Sequence, residues 1–361
     1  MEPTGQSFDR VQDPETGMFE RLREWNDLFP WFRLTRTLRM AASPPLVLLT
    51  IAAVGIWLAG QWMILGDRIP LAGVDHGGQG AWGAAYRPAR WFTGLAYLTS
   101  PSTLHQLPAR SVGWRWLLGS FWSLLIWTPL GLLLARQGAL LTAGRPMVGL
   151  KSGLQLAVQR MMRAWVVALV PLLCVAAISL LLFLAGKLAL LLEGVPGLEM
   201  LAAVIVAILA IPCGLLAFGS HFAIPLGWAA LVNEQHPDPL DSLSRGYEYF
   251  LRRPLQLVGY CLLALLLLSI IGLLAAGVSA SAISVTTAVL GMGSDGNAPM
   301  LVRRVAALLS WFPVAVMVTL AWGLSGGIYL LLRRDAGGQE VEDVWLPPSD
   351  PQPPLPSLPR S

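Results

Sequence analysis

Charged residues are scarce in this chain: Asp, Glu, Lys and Arg together make up 13% of its 361 residues. A soluble domain carries roughly 25%. The apolar residues lie in long runs, and about 20 residues of helix are enough to cross the ~30 Å hydrocarbon core of a bilayer. These features exclude an ordinary soluble globular protein and predict an integral membrane protein.

Cysteine is also rare. The three cysteines, Cys174, Cys213 and Cys261, all lie inside apolar runs. None of them has a second cysteine at C-x-x-C spacing, so neither a disulfide framework nor a zinc site is indicated. We interpret them as small packing residues.

Histidine is limited to four residues. His76 and His105 could share a metal ion with Asp75, but two histidines without helical spacing in a glycine-rich loop are more typical of solvated residues. The sequence contains no nucleophile-elbow, zinc-protease or phosphate-loop motif. We therefore predict no enzymatic activity, no metal and no cofactor, and the small net charge of +4 gives no reason to expect a nucleic-acid partner.

Six apolar runs predict an all-α, polytopic transmembrane bundle. The fourth run contains no Asp, Glu, Lys or Arg and is longer than a bilayer requires, with Pro212 and Pro225 inside it. It predicts either one kinked or tilted helix, which we favour, or a short helix followed by a re-entrant turn. The six spans are Leu46–Leu65, Trp116–Ala135, Trp165–Ala185, Met200–Val232, Leu257–Val278 and Val305–Leu332.

The distribution of Lys and Arg predicts the orientation of the chain. The first apolar run begins only at Leu46, after a polar leader, so we expect it to stay as a signal anchor rather than to be cleaved. With the N-terminus inside, 17 of the 25 basic residues fall in cytoplasmic segments. Because cytoplasmic loops are enriched in Lys and Arg, we predict a multi-pass protein of the bacterial cytoplasmic (inner) membrane with both termini in the cytoplasm.

The regions outside the spans have their own predicted roles. Residues 1–19 are expected to form a disordered tail, and residues 20–335 the membrane domain, with an external loop at 66–113. Residues 336–361 are rich in proline, which predicts a second disordered tail.

One charged segment, residues 238–253, lies between apolar runs and predicts a short helix. Asp238 can cap its start, and Pro254 ends it. The acid-to-base pairs Asp241–Arg245 and Glu248–Arg252 are four residues apart in the order that favours a helix. These charges have a structural explanation that needs no catalysis.

The same helix is predicted to lie in the plane of the membrane surface. Its apolar side chains fall on one side at helical spacing, which is typical of an interfacial helix: Leu240, Leu243, Tyr247, Phe250 and Leu251. The opposite, polar side is predicted to hold Asp241, Arg245, Glu248, Tyr249 and Arg252. Similar amphipathic stretches precede the first span, at 31–39, and the third span, at 147–161. We therefore predict three cytoplasmic in-plane helices, each preceding an outward-running span in a threefold repeat.

The stretches "PWFRLTRTLRMAASPPLVLL", "SFWSLLIWTPLGLLLARQGALLTAG" and "DPLDSLSRGYEYFLRRPLQL" resemble a group of uncharacterised multi-pass membrane proteins common in planctomycete bacteria. More distantly the chain is similar to the membrane domain of glycerophosphodiester phosphodiesterases, without their catalytic barrel or metal cluster. The resemblance covers roughly 25–335 and implies a membrane fold with no known activity. The signature of the group is matched by Asp241, Leu243, Ser244, Arg245, Tyr247, Tyr249, Arg253 and Pro254.

Two sets of residues are candidate sites. Arg33, Arg36 and Arg39 form a basic stripe that could contact anionic lipid, determine topology, or do both. Ser220 and His221 are polar residues at depth in the fourth span, where an ionisable group suggests function. We favour a non-enzymatic scaffold or membrane subunit of a larger assembly, with lipids and membrane proteins as partners. The alternative is a small-solute or lipid transporter or channel that uses the site near His221.

Overall fold

The computed structural model describes residues 29–65, 114–191, 197–292, 298–337 and 339–346. Within these ranges the chain is helical and contains no strand. A 3₁₀ helix, Pro30–Met40, comes first. The α-helices that follow are α1 (Pro44–Leu65), α2 (Trp114–Thr142), α3 (Leu150–Leu191), α4 (Leu198–Asn233), α5 (Pro239–Arg252), α6 (Pro254–Met292), α7 (Ala298–Leu309) and α8 (Trp311–Gly337).

Six helical stretches of the described chain are long and apolar enough to cross a membrane, as predicted. Three of them are the longest: α3 has 42 residues, α4 has 36 and α6 has 39. At about 1.5 Å per residue these helices are roughly 54–63 Å long, well beyond a ~30 Å hydrocarbon core. They must therefore tilt, or extend past the hydrocarbon.

The amphipathic segments differ from the prediction in one respect. The 3₁₀ helix and α5 are separate helices, but the stretch predicted at 147–161 is not, because α3 runs without a break from Leu150 into the third span. No proline or glycine cap separates the amphipathic turns from the apolar ones, so the helix continues. The fourth span is one continuous helix with Pro212 and Pro225 inside it. This agrees with the favoured interpretation of a single helix rather than a short helix with a re-entrant turn. The sixth predicted span is interrupted at Ser310, between α7 and α8.

The centre of the bundle is formed by α2 and α8. In the most apolar 18-residue stretch of α2, 78% of the residues are buried inside the protein, compared with 6% in the corresponding stretch of α4. Almost the whole of α8 from Pro313 to Arg333 is buried as well. The other helices pack around this pair, with α1, α3 and α4 against α2, and α6 against α8.

Small residues allow α2 and α8 to pack with their backbones nearly in contact. A Cβ atom on Gly138 would lie 2.0 Å from the carbonyl oxygen of Gly323, and one on Gly326 would lie 1.9 Å from that of Ala135. Such close approach through small residues is how helices associate in lipid, where no hydrophobic force drives them together. Buried hydroxyls add to it, since Thr50 Oγ1 and Thr319 Oγ1 are 2.8 Å apart.

The end of α2 is defined by a glycine. Gly144 has a φ of 76°, a left-handed conformation in which a Cβ atom is disfavoured. The amide of Gly144 donates to Leu141 O at 3.0 Å, and that of Arg145 to Leu140 O at 2.8 Å. This is the Schellman arrangement, and it turns the chain toward α3.

Part of the chain beyond α8 packs on the bundle. Residues 339–346, which we name the C-terminal strap, cross the end of the bundle, and Val341 and Val344 are only 1% and 4% exposed. This segment lies within the predicted tail 336–361, whose disorder stays a prediction. Several predictions fall outside the described residues. They are the N-terminal tail (within 1–28), the external loop with His76 and His105 (66–113) and the rest of the C-terminal tail (347–361).

Candidate functional site at the charged end

Most charged side chains of the described residues lie at one end of the bundle, which we name the charged end. Helices α2, α4 and α8 end there, and α1, α3 and α6 begin there. The 3₁₀ helix, α5 and the C-terminal strap complete it. Arginines from several of these elements converge on the strap.

The C-terminal strap is held by arginines that donate to its main chain. Arg145 Nη2 donates to Glu342 O at 2.7 Å, and Arg333 Nη2 donates to Asp343 O. Arg33 forms an ion pair with the Glu342 carboxylate. Because these donors come from the 3₁₀ helix, from the turn after α2 and from α8, the strap ties three separate parts of the chain together.

Two buried arginines lie beneath the strap at the end of α4. Arg136 is 1% exposed and donates to Val232 O at 3.0 Å, to Asn233 Oδ1 at 3.0 Å and to Trp345 O. Arg160 is 8% exposed and donates to Glu234 O at 2.9 Å. Cations suit the C-terminal end of a helix, where carbonyl oxygens lack partners and the dipole is negative. The two guanidinium groups therefore cap α4.

The indole of Trp345 packs against both of these arginines. Its ring centroid is 4.7 Å from Arg160 Cζ and 5.9 Å from Arg136 Cζ, within the range of cation–π attraction. The Trp345 amide also donates to Asn233 O at 3.2 Å. The strap thus extends the cap that the arginines place on α4.

Glu234, the first residue after α4, joins three elements. Its carboxylate accepts from Arg245 of α5 and from the Tyr329 hydroxyl of α8. Burial alone would lower the pKa of Arg245, but the carboxylates of Glu234 and Asp241, with Tyr329, outweigh it and raise the pKa above its ordinary value. Arg245 is therefore charged at any physiological pH, and the contact is a partly buried ion pair.

The predicted start and ion pairs of α5 are confirmed. Asp238 Oδ2 accepts from the Asp241 amide at 3.2 Å, the expected N-terminal cap. Arg245 lies 2.7 Å from Asp241, and Arg252 lies 2.8 Å from Glu248. The helix ends at Arg252, and Pro254 begins α6.

The faces of α5 differ from the prediction. Its buried residues are Ser242, Leu243, Gly246 and Tyr249, which pack on the bundle, whereas Leu240 and Leu251 are each 55% exposed. Tyr249 was predicted on the polar side, but it lies 6.3 Å from the ring of Tyr329. At about 100° per residue the centres of the buried face and of the exposed apolar face are roughly 140° apart, and the charged residues occupy a third side.

The two tyrosines of the signature are neutral anchors. Tyr247 donates to Leu216 O of α4 at 2.9 Å. Burial raises the pKa of Tyr247 to about 12 and, together with nearby Glu234, that of Tyr249 to about 12. Both hydroxyl groups therefore stay protonated at neutral pH. Tyr247 attaches α5 to α4, and Tyr249 packs toward Tyr329 of α8.

The rest of the signature shapes the ends of α5. Ser244 Oγ donates to Asp241 O at 2.9 Å within the helix. Arg253 Nη1 is 3.5 Å from Gln256 Oε1, across the junction with α6. Of these signature residues, Tyr247 contacts α4, Arg253 reaches α6, and Ser244 is bonded within α5.

The three arginines of the predicted lipid stripe lie in different surroundings. Arg33 is buried and paired with Glu342, and Arg36 is half-buried beside Gly144. Burial and the neighbouring Arg33 lower the pKa of Arg36. Arg39 is exposed. The three residues are therefore not one exposed stripe, since the 3₁₀ helix turns Arg33 toward the C-terminal strap.

The predicted polar site in α4 is bonded within its own helix. Ser220 Oγ donates to Ala217 O at 2.7 Å, and His221 Nδ1 lies 3.0 Å from the same oxygen. Ser220 is fully buried, and His221 is half-buried. The transport hypothesis based on these residues stays a prediction.

No protein-family model, curated protein or solved structure matches this chain. Within the described ranges, no three His, Cys, Asp or Glu side chains come together where they could hold a metal ion. The role of the charged end is therefore inferred from the contacts among its own residues.

Sequence reasoning missed the residues that organise the charged end. Arg136 carried a signal, because the apolar run continues past it to Thr142 and so places an ionisable residue within a span. Glu234, directly after the uncharged fourth run, carried another. Trp345 and Glu342 gave none, since their partners are distant in the chain.

Proposed function

We propose that the protein is a non-enzymatic component of the bacterial cytoplasmic membrane, a scaffold or the membrane subunit of a larger assembly. The observation that carries the proposal is the charged end. Its buried arginines, Arg136 and Arg160, hold the end of α4, and Glu234 holds α5 to α8. Polar groups used in this way build a rigid platform at one side of the membrane.

The faces of α5 support a position of the charged end at the membrane surface. A helix lying in the interface needs one side against the protein, one toward lipid and one toward water. The buried side of α5 faces the protein. We assign the exposed Leu240 and Leu251 to lipid, and the exposed Glu248 and Arg252 to water. The predicted excess of Lys and Arg in cytoplasmic segments supports placing this surface on the cytoplasmic side.

The 3₁₀ helix supports the same position. Phe29, Trp31 and Phe32 are exposed and pack on one another, with the Trp31 and Phe32 ring centroids 4.3 Å apart. Aromatic rings favour the headgroup layer. The exposed Arg39 near them suits the phosphate of an anionic lipid, at about 1 kcal/mol per basic residue.

Purification from native membranes in a lipid-preserving polymer tests the proposal. We expect the chain to be recovered in fixed ratio with other membrane proteins, from two preparations with the affinity tag at opposite ends. The co-purified proteins should be absent from a control membrane that lacks the tagged chain. Recovery of the chain alone as a 39.0 kDa monomer from both preparations would contradict it.

A further inference from the structure

The C-terminal strap lies in the charged end as a bound peptide lies in a groove. Four of its carbonyl oxygens accept hydrogen bonds from arginines of the bundle. Main-chain recognition of this kind gives affinity without depending on the bound sequence. The contacts are Arg333 with Glu340 O at 3.4 Å and with Asp343 O, Arg145 with Glu342 O at 2.7 Å, and Arg136 with Trp345 O.

The side chains of the strap supply specificity. Val341 and Val344 are buried in the bundle, and the Glu342 carboxylate pairs with Arg33. Trp345 stacks against Arg136 and Arg160. The groove therefore recognises an extended pattern of an apolar residue, an acid, any residue, an apolar residue and a tryptophan.

We propose that the charged end is a peptide-binding groove, which the chain's own residues 339–346 fill reversibly and which an extended acidic segment of a partner protein fills when it displaces them. The partner segment would share the pattern of Val341, Glu342, Val344 and Trp345. This inference deepens the proposed function, because it names the surface by which the protein would join an assembly.

The strap is built for release. It follows Gly337, whose surroundings would leave a Cβ atom in open space. Its charged contact is only partly buried, since the Arg33 side chain is 8% exposed and the Glu342 side chain is 49% exposed, so water can solvate the Glu342 carboxylate when the strap leaves. A tethered segment is favoured by a local concentration in the millimolar range for a short flexible linker, so weak contacts suffice to keep it in place.

A second copy of this chain is not the proposed occupant. The strap follows α8, which lies at the centre of the bundle. Eight extended residues reach at most about 28 Å, whereas the centres of two adjacent bundles are separated by about three helix diameters, or roughly 30 Å. The strap of one copy cannot cross that gap and still lie along the groove of another.

Binding of a labelled peptide with the sequence of residues 339–346, QEVEDVWL, to the purified full-length chain in detergent tests the proposal by fluorescence anisotropy. A variant with Glu342→Gln and Trp345→Ala, which weakens the strap, should bind the peptide at least tenfold more tightly than the parent chain. Replacing tryptophan by alanine in the peptide should reduce binding at least tenfold. The matched control is Leu346→Ala, because Leu346 is exposed at 42%, and it should bind like the parent.

A competition experiment covers the case in which the double variant is unstable. In a chain with Cys174, Cys213 and Cys261 replaced by alanine, the buried Val344 is changed to cysteine. Excess peptide should increase the rate at which a thiol reagent labels Val344→Cys at least fivefold, and a scrambled peptide should not. Equal labelling with and without peptide, or equal peptide binding by the weakened and parent chains, would overturn the proposal.

The two proposals fail separately. Peptide binding is measured on the isolated chain, whereas the proposed function is tested by what co-purifies from native membranes. If the chain is monomeric in native membranes but binds the peptide, the groove proposal stands and the assembly proposal fails. If the chain forms a stable assembly but does not bind the peptide, the assembly proposal stands and the groove proposal fails.

Discussion

At the scale of single residues, Glu234 joins three helices of the charged end. One carboxylate at the end of α4 accepts from Arg245 of α5 and from Tyr329 of α8. Its side chain is 16% exposed, so water cannot fully replace either partner. A partly buried charge-assisted pair of this kind costs more to break than an exposed one.

Glu234→Gln should therefore lower the free energy of unfolding by about 1–2 kcal/mol, because a neutral amide cannot form charge-assisted hydrogen bonds with both donors. Glu248→Gln is the matched control. It breaks the exposed pair with Arg252 and should change stability by less than about 0.5 kcal/mol. Thermal unfolding in detergent measures both. Equal effects of the two substitutions would contradict the role given to Glu234.

At the scale of secondary-structure elements, α2 and α8 pack through glycines rather than large side chains. Gly326 faces Ala135, and Gly138 faces Gly323, at distances that leave no room for a Cβ atom. A methyl group there must push two backbones apart. Other glycines of the spans, including Gly259 of α6, have open space around them.

Gly326→Ala should destabilise the protein by about 1–3 kcal/mol, the usual cost of overpacking. Gly259→Ala should be neutral or slightly stabilising, because alanine is the better helix former and nothing opposes its methyl group. Thermal melting of the two variants under the same detergent conditions decides between them. If the melting temperature of Gly326→Ala equals or exceeds that of the parent chain, the close packing of α2 and α8 is wrong.

The elements also show what could be predicted from the sequence. The apolar runs predicted six long helices because crossing lipid demands length and low charge, and local pairs such as Asp241–Arg245 predicted α5 because helical spacing is short-range. The strap could not be predicted in this way. Its order depends on partners such as Arg33 and Arg136, which are 309 and 209 residues from Glu342 and Trp345, respectively.

The candidate sites were harder to predict than the helices. Arg33 shares a basic, helical pattern with Arg39, yet only the fold decides that one is buried against Glu342 and the other exposed. Tyr249 lay on the side assigned to water, because the sequence does not show that α5 packs sideways on α4 and α8. In both cases a pattern located the element but not its neighbour.

At the scale of the whole molecule, the protein is a bundle with unlike ends. The charged end is closed by the C-terminal strap, and its buried arginines hold helix ends in place. Farther along, α3, α4 and α6 present exposed apolar side chains such as Leu180, Ile208 and Leu274, which suit contact with lipid. In the arrangement that we propose, the charged end lies at one membrane surface and faces the cytoplasm.

Sided cysteine labelling tests this central claim most directly. Glu248→Cys, introduced into a chain whose three native cysteines are replaced by alanine, places one exposed thiol on α5 at the charged end. We expect a membrane-impermeant maleimide to label it in inverted inner-membrane vesicles and to leave it unlabelled in intact spheroplasts. Labelling in intact spheroplasts, or recovery of the chain in the soluble fraction without detergent, would contradict the account.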